Sequence, residues 1–297
     1  MIDFVKDKEY RAMVHRDFIE KDNKFYAVLS TNPLLCSLRY VRNDRVFKKI
    51  NGGIVAIEEG ETDDIKIFSG RERLKEIMKY QKDKYERDVS DLAKFLSNFT
   101  STENLGISGS GLIKCYGNDS DIDFVVYGAK NFNEAMDAIK QSILNNRAVK
   151  NLNPEQWKEL YAKRIFGNEL TFDEFLWHEK RKFNKGTINN RKFDLLLSDD
   201  ASINLNFKKT GNITKRGKVV KSNPFSYPAY YEIAEDGNRE IIKILCWTHT
   251  YVGQAFEGEN IEVCGMLEKI NSKNRSGKFI IVGTSRKAIG EYIKVMK

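Results

Sequence analysis

The sequence predicts a mixed α/β (α+β) chain in three parts, from three observations. Short alternating apolar runs separated by turn residues fill residues 24–57. Through the middle, helical spacings alternate with two apolar strands that carry acids, and strand-like runs at close spacing return after residue 223. The parts are a β-rich region at 1–84, a helix-and-strand domain at 85–222, and a small β barrel, OB-like among its possible forms, at 223–297.

The first part reads KFYAVLST, CSLRYVR and GIVAI, with Asn, Pro and Gly between the runs as between strands. Arg39, Tyr40 and Arg42 read as core and rim packing, with a surface for single-stranded nucleic acid as the alternative. From Gly70 to Phe99 the pattern turns helical, gathering Val89, Leu92, Phe95, Leu96 and Phe99 on one face. A second helix follows the stretch 105–128, with Phe132, Ala135, Met136, Ile139, Ile143 and Leu144 at helical spacing. Pro154 suits the first turn of a third, and Thr171 with Glu174 forms the capping box of a fourth.

RKFDLLL is the next strand. The tract after it holds Lys208, Lys209, Lys215, Arg216, Lys218 and Lys221 without an acid, and reads as a charged loop or a clamp on a nucleic-acid backbone. The last part gives strands at AYYEI, IIKILCW, IEVCGML and KFIIVG, then a short helix at KAIGEYIKVM. Trp247 and Tyr251 belong there to packing before stacking.

Composition narrows the function classes. With 297 residues and 41% hydrophobic content the chain can bury a large core. No apolar run approaches the roughly 20 residues of a membrane span, and the charged start MIDFVKDKEYR lacks a signal core. A cytoplasmic protein with no membrane partner is expected. Four scattered cysteines and three histidines make neither a zinc site nor a disulfide framework, and the net charge of +8 favours phosphate-bearing partners.

The chemistry lies in residues 105–128, LGISGSGLIKCYGNDSDIDFVVYG, where Asp119, Asp121 and Asp123 crowd the start of a strand. Such crowding calls for a positive group among them. A P-loop needs Gly-Lys-Ser/Thr where Gly111-Leu112-Ile113 stands, the dinucleotide fingerprint needs its glycines in the reverse order, and an EF-hand fails at Phe124 and Lys130. What survives is a pair of acids two residues apart on a strand. Asp121 and Asp123 then share a face, with Cα atoms about 6.6 Å apart, while Ile122 and Phe124 turn to the core.

Oxygen ligands of this kind suit Mg²⁺, which keeps waters and takes further ligands from substrate phosphates. Asp194, in the apolar FDLLL, becomes the third acid if the two strands pair, whereas Asp119 caps the turn. Gly109, Ser110 and Gly111 can bring N–H groups and a hydroxyl to phosphate oxygens. His178 and Arg181 share a helical face and are candidates for triphosphate contact, with a solvated basic face as the alternative.

Gly109-Ser110, ten residues, then Asp121-Ile122-Asp123 with a later hydrophobic-Asp-hydrophobic at Asp194 resembles the DNA polymerase β-like nucleotidyltransferase superfamily. Ser120, directly before the acids, matches a common form of the motif. RDFIEKDNKFYAVLS, FDEFLWHEKRKFNKG and RKFDLLL also resemble a group of uncharacterised archaeal proteins carrying this domain between two β regions. The resemblance implies a mixed sheet flanked by helices, and transfer of a nucleoside monophosphate from an NTP such as ATP to a hydroxyl with release of pyrophosphate. It implies a two-metal mechanism in which Asp121 and Asp123 hold both Mg²⁺ ions, or Mn²⁺ in their place, Asp194 completes the catalytic metal and helps deprotonate the acceptor, and Gly109 and Ser110 hold the triphosphate. Where many relatives carry an arginine soon after Gly-Ser, this chain has Leu112, Ile113 and Lys114, which leaves Lys114 as the basic contact.

The expected acceptor is a nucleic acid, RNA before DNA. Two rivals stand beside the enzyme: a catalytically inactive nucleic-acid-binding module of the same fold, and an enzyme that nucleotidylates protein.

Overall fold

The computed structural model describes residues 13–31, 33–50, 52–57, 64–199, 207–235, 241–272, 275–285 and 287–297; the charged start, residues 1–12, lies outside them. The chain divides into two compact units, Met1–Asn151 with Asn184–Ile203, and Leu152–Phe183 with Asn204–Lys297.

The first unit opens with strands β1 (Phe18–Lys21), β2 (Lys24–Thr31), β3 (Leu34–Asn43), β4 (Val46–Lys49), β5 (Ile54–Ala56) and β6 (Lys66–Phe68). They form one antiparallel sheet in the order β4-β3-β2-β1-β6, with β5 also against β3. Two helices follow, α1 (Gly70–Lys79) and α2 (Lys84–Leu96), where one helical stretch was expected. The break comes from Asp83, whose side chain accepts from Glu86 N at 2.9 Å and so caps a new helix. Phe99, expected on the buried face, lies beyond the helix end and is 49% exposed.

The second sheet of this unit has β7 (Leu105–Ile107), β8 (Ile122–Tyr127), β9 (Lys185–Ile188) and β10 (Arg191–Ser198) in the order β7-β8-β10-β9. The central pair β8–β10 is parallel and both flanking pairs are antiparallel, so the sheet is mixed. A one-turn helix α3 (Gly109–Leu112) joins β7 to the segment before β8, and α4 (Ala129–Leu144) follows β8. Ile122, Phe124, Val125 and Val126 are all fully buried, as in a strand covered on both faces.

The expected boundary at residue 84 does not separate these sheets. Phe18, Phe25 and Tyr40 of the first sheet share one apolar cluster with Leu112 and Ile113, which follow β7. Hydrogen bonds tie the segment before β1 to the rest of the unit. Ser108 Oγ donates to Arg16 O at 2.7 Å, Ser198 Oγ donates to His15 O at 2.6 Å, and Asp17 Oδ1 accepts the first N–H of α1, Gly70 N, at 2.9 Å. Asp17 is fully buried, and burial raises its carboxyl to about 6 against the pull of the Gly70 and Val14 N–H donors.

The second unit begins with α5 (Pro154–Arg164) and α6 (Phe172–Lys182), both started by capping boxes, at Asn153/Gln156 and Thr171/Glu174. Expected in the catalytic part, these helices instead give Trp157, Ile165, Leu170 and Phe175 to the core of the C-terminal strands, beside Tyr231, Ile244, Ile261 and Ile293. Those strands are β11 (Phe207–Asn223), β12 (Ala229–Ala234), β13 (Ile241–Cys246), β14 (Asn260–Ser272), β15 (Arg275–Val282) and β16 (Tyr292–Val295). Five close into a barrel, β11-β12-β13-β15-β14 and back to β11, with β16 added on β14.

Two expectations change here. The basic tract is the long strand β11 that closes the barrel, pairing with β14 over 207–218 and with β12 over 218–223, and not a loop. Lys215 pairs with Glu235 at 2.8 Å and Arg216 with Glu262 at 2.6 Å, while the Lys208 and Lys209 side chains lie outside the described residues. The expected terminal helix is strand β16, because alternation at Tyr292–Val295 buries Ile293 and Val295 and Gly290 takes φ +75°. Among the described residues no helix is long and apolar enough to cross a membrane.

Candidate active site

In β10 the residues Phe193, Leu195 and Leu197 are buried, so Lys192 and Asp194 turn to the opposite face. The parallel register sets Asp194 beside Asp123 and Phe193 beside Ile122. In-register neighbours on adjacent strands point the same way, about 4.8 Å apart, so the two carboxylates share one face. Asp121, one residue before β8, is on that face by the two-residue period and is 51% exposed. Lys192 Nζ stands 3.4 Å from Asp121 Oδ1, which supplies a positive group among the acids. Sequence reading passed over Lys192, although its place two residues before Asp194 marks it as a neighbour on the same face.

The Gly-Ser turn runs directly against Asp123. Ile107 pairs with Phe124, and Ser108 N donates to Asp123 O at 2.8 Å before the chain turns at Gly109 with φ +59°. A Cβ on Gly109 would lie 1.9 Å from Asp123 Oδ2, so the carboxylate occupies the space a side chain would need. At Gly111 the reason is different: a Cβ would come within 2.3 Å of the hydroxyl of buried Tyr85. Ser110, between them, is partly exposed, and its carbonyl accepts from Cys115 N at 3.0 Å.

Crowding marks the electrostatics of Asp123. Burial raises its carboxyl to about 6, and the neighbouring charge of Asp194 adds to the rise. Lys49 and Arg39, from the N-terminal sheet, pull it back down, and Asp121 adds a smaller upward push.

A buried arginine holds the approach to the acids. Arg191 donates through Nε to Asp88 Oδ2 at 2.7 Å and through one terminal nitrogen to the carbonyls of Asn118 and Ser120, at 2.7 and 2.8 Å. Ser120 Oγ accepts from Gly117 N at 2.9 Å and so closes the turn that delivers Asp121. Exposed Asp119 lies in the same turn.

Three predicted nucleotide contacts are engaged elsewhere. Lys114, at φ +58°, donates to Glu76 Oε1 of α1 at 2.8 Å. His178 is buried in the barrel unit; its Nδ1 is 2.7 Å from Glu174 O and its Nε2 accepts from Val295 N at 3.1 Å. Those partners assign the proton to Nδ1, and burial lowers the imidazole to about 4, so His178 is a neutral packing residue at pH 7. Arg181 pairs with Glu259 and lies over Trp177 and Phe256, 4.4 and 4.9 Å from the ring centroids. The helical face on which His178 and Arg181 were expected to meet a triphosphate is therefore used for packing within the barrel unit. Arg181→Ala is expected to lower stability by about 1–2 kcal/mol through the lost ion pair and stacking, leaving ATP affinity within about twofold. Thermal melting beside equilibrium ATP binding checks both halves.

Among the described residues no three His, Cys, Asp or Glu side chains form a ready-made metal cage. The donors still fit Mg²⁺ in type and number. Asp123 and Asp194 are two crowded carboxylates on one face, Asp121 can join by leaving Lys192, and a cation relieves the repulsion that raises Asp123. Mg²⁺ needs few protein ligands when waters and substrate phosphates complete its shell.

No protein-family model matches the chain. It is similar to the uncharacterized protein MJ1086 of Methanocaldococcus jannaschii, with 37% identity over 221 residues covering 71% of this chain and 65% of that one. The chain thus matches less than two thirds of that relative's length, and the relative's description carries no chemistry.

Proposed function

We propose that the protein is a Mg²⁺-dependent nucleotidyltransferase of the DNA polymerase β-like kind, moving a nucleoside monophosphate from an NTP to a hydroxyl. One observation carries the reading: Asp194 lies in register with Asp123 directly beneath a Gly-Ser turn whose first glycine has no room for a side chain. That brings two acids and the Gly-Ser turn together from stretches about 85 residues apart in sequence.

In this reading Asp121, Asp123 and Asp194 hold Mg²⁺, which supplies charge neutralisation for the triphosphate and lowers the pKa of the attacking hydroxyl. The backbone N–H groups at Gly109 and Ser110 and the Ser110 hydroxyl bind phosphate oxygens and orient the chain of phosphates. Asp194 accepts the proton of the acceptor hydroxyl as its oxygen bonds to the α-phosphorus. The bond from that phosphorus to the bridging oxygen breaks, and pyrophosphate leaves with the electron pair. Arg191 keeps the turn at 118–120 in place, so that Asp121 is presented at a fixed position.

The acceptor is proposed to be a nucleic acid, RNA before DNA. The closed order β11-β12-β13-β15-β14, with β13 and β15 parallel, is the strand order of OB barrels, which commonly bind oligonucleotides. Net positive charge is in keeping with such a partner. The test is incubation with each labelled NTP and Mg²⁺ or Mn²⁺ against pooled RNA, single-stranded DNA and protein. Label on nucleic acid supports the reading, label on protein favours the protein-modifying rival, and Mg²⁺-dependent binding without transfer favours the inactive module.

A pH profile gives an independent check. Asp123 has its carboxyl raised to about 6, so it is ionised above that pH and protonated below it. The value of kcat/KM at low Mg²⁺ is expected to fall about tenfold per pH unit below pH 6. Raising Mg²⁺ should move the limb to lower pH, since the cation competes with the proton for the same oxygens. A limb that ignores Mg²⁺ would place the titrating group elsewhere.

A further inference from the structure

The resemblance leaves the phosphate side of the site without its basic contact, because Lys114 is held by Glu76. The N-terminal sheet carries cations on the face that packs against this loop. Tyr40 of β3 and Phe47 of β4 pack with Leu112, Ile113 and Cys115, the residues that continue the Gly-Ser turn. Lys49 pairs with Tyr40 across β3–β4 and lies two residues beyond Phe47, so it emerges on that same face. Its side chain is exposed there.

Arg39 reaches this face by a different device. Phe25 pairs with Tyr40 and Tyr26 with Leu38, so Arg39 is one extra residue in β3, a β-bulge. A bulge breaks strict alternation and re-aims a side chain, and bulges recur beside active sites for that reason. Regular alternation would have sent Arg39 away from Tyr40. Both cations pull the Asp123 carboxyl down, against burial and the charge of Asp194. Arg42 is engaged by Glu20 and Asn23 at the sheet's far turn.

We propose that Arg39 and Lys49, from the bulged strand β3 and its partner β4, bind the β- and γ-phosphates of the incoming nucleoside triphosphate. The N-terminal sheet is then part of the active site, supplying the positive charge missing after the Gly-Ser pair. This inference rests on the nucleotidyltransferase reading and adds to it the residues that grip the leaving pyrophosphate. Arginine matches phosphate oxygens with paired N–H donors, and lysine adds a point charge.

Equilibrium binding of labelled ATP, with GTP, CTP and UTP in parallel, is measured in Mg²⁺ for the full chain and for Arg39→Ala, Lys49→Ala, the double variant, and the charge-keeping pair Arg39→Lys with Lys49→Arg. Each single alanine is expected to weaken binding about tenfold and the double about a hundredfold, with the charge-keeping pair within about fivefold of wild type. Inhibition of ATP binding by inorganic tripolyphosphate should weaken in parallel at an unchanged melting midpoint, whereas a merely structural role would lower the melting midpoint. Unchanged ATP binding by a folded double variant overturns the inference alone. So does a loss confined to an oligouridylate probe, which would assign the cations to the acceptor. Full Mg²⁺-dependent transfer by Asp123→Asn would instead overturn the parent reading, and a wild-type chain that binds none of the four nucleotides would overturn both.

Discussion

Asp123→Asn is expected to abolish nucleotide transfer and, at pH 7, to make the protein more stable. Loss of activity should reach at least about a thousandfold, because on the proposed reading the substitution removes a carboxylate that would hold Mg²⁺ at the centre of the site. The gain in stability follows from the direction of the pKa. The Asp123 carboxyl is raised in the folded protein, to about 6, by burial and by Asp194. An acid whose folded pKa lies above its unfolded one binds its proton more tightly when folded, so the native state loses stability as pH rises from the unfolded pKa through 6. At pH 7 the ionised form costs on the order of 1–3 kcal/mol, which asparagine does not incur.

The advantage of the variant should therefore be largest above pH 6 and vanish below about pH 4. Asp17 follows the same direction, with its carboxyl also raised to about 6, and adds its own decline to wild type and variant alike. The difference between the two melting curves isolates Asp123. A variant that melts lower than wild type at pH 7 would show that the carboxylate is stabilised where it sits, and the crowding argument would fail.

Gly109→Ala should be the most damaging single methyl in the first unit. A Cβ there would sit 1.9 Å from Asp123 Oδ2, on a backbone at φ +59°. The left-handed backbone alone costs an L-residue about 1–2 kcal/mol, and relieving the clash requires Asp123 or the turn to move. A loss of about 2–4 kcal/mol is expected, together with most of the activity, since the displaced groups are the Gly-Ser turn and Asp123, the proposed phosphate and metal contacts.

A double-mutant cycle with Asp123→Ala separates the two causes. Without the carboxylate the nearest remaining atom is Asp123 Cβ at 3.3 Å, so the cost of the added methyl should shrink to the backbone strain. Additive effects of the two substitutions would mean that the glycine is needed only for its φ angle.

The acids and the turn were legible in the sequence because their signals are local. Asp121 and Asp123 share a face through the two-residue strand period, and the apolar run FDLLL marked Asp194 as the odd polar residue of a second strand. Lys192 was legible by the same rule and was passed over. His178 and Arg181 were misassigned because a helix periodicity says which residues share a face and not what that face meets. In α6 the face meets Val295 and Glu259, both more than 70 positions later in the chain.

By itself the sequence determined where the strands and most helices lie, where the caps and turns fall, and which acids come to one face of which strand. Tertiary structure alone decided that the N-terminal sheet joins the Gly-Ser turn in one core, that α5 and α6 belong with the barrel, and that the lysine-rich tract is the strand that closes it. The physical reason is range. A strand or helix period is set by backbone geometry over a few residues, whereas the choice of partner for an apolar face is a sum of many small contacts between distant segments. The bulge at Arg39 belongs to the second kind, because an extra residue in β3 exists only relative to the strand it pairs with.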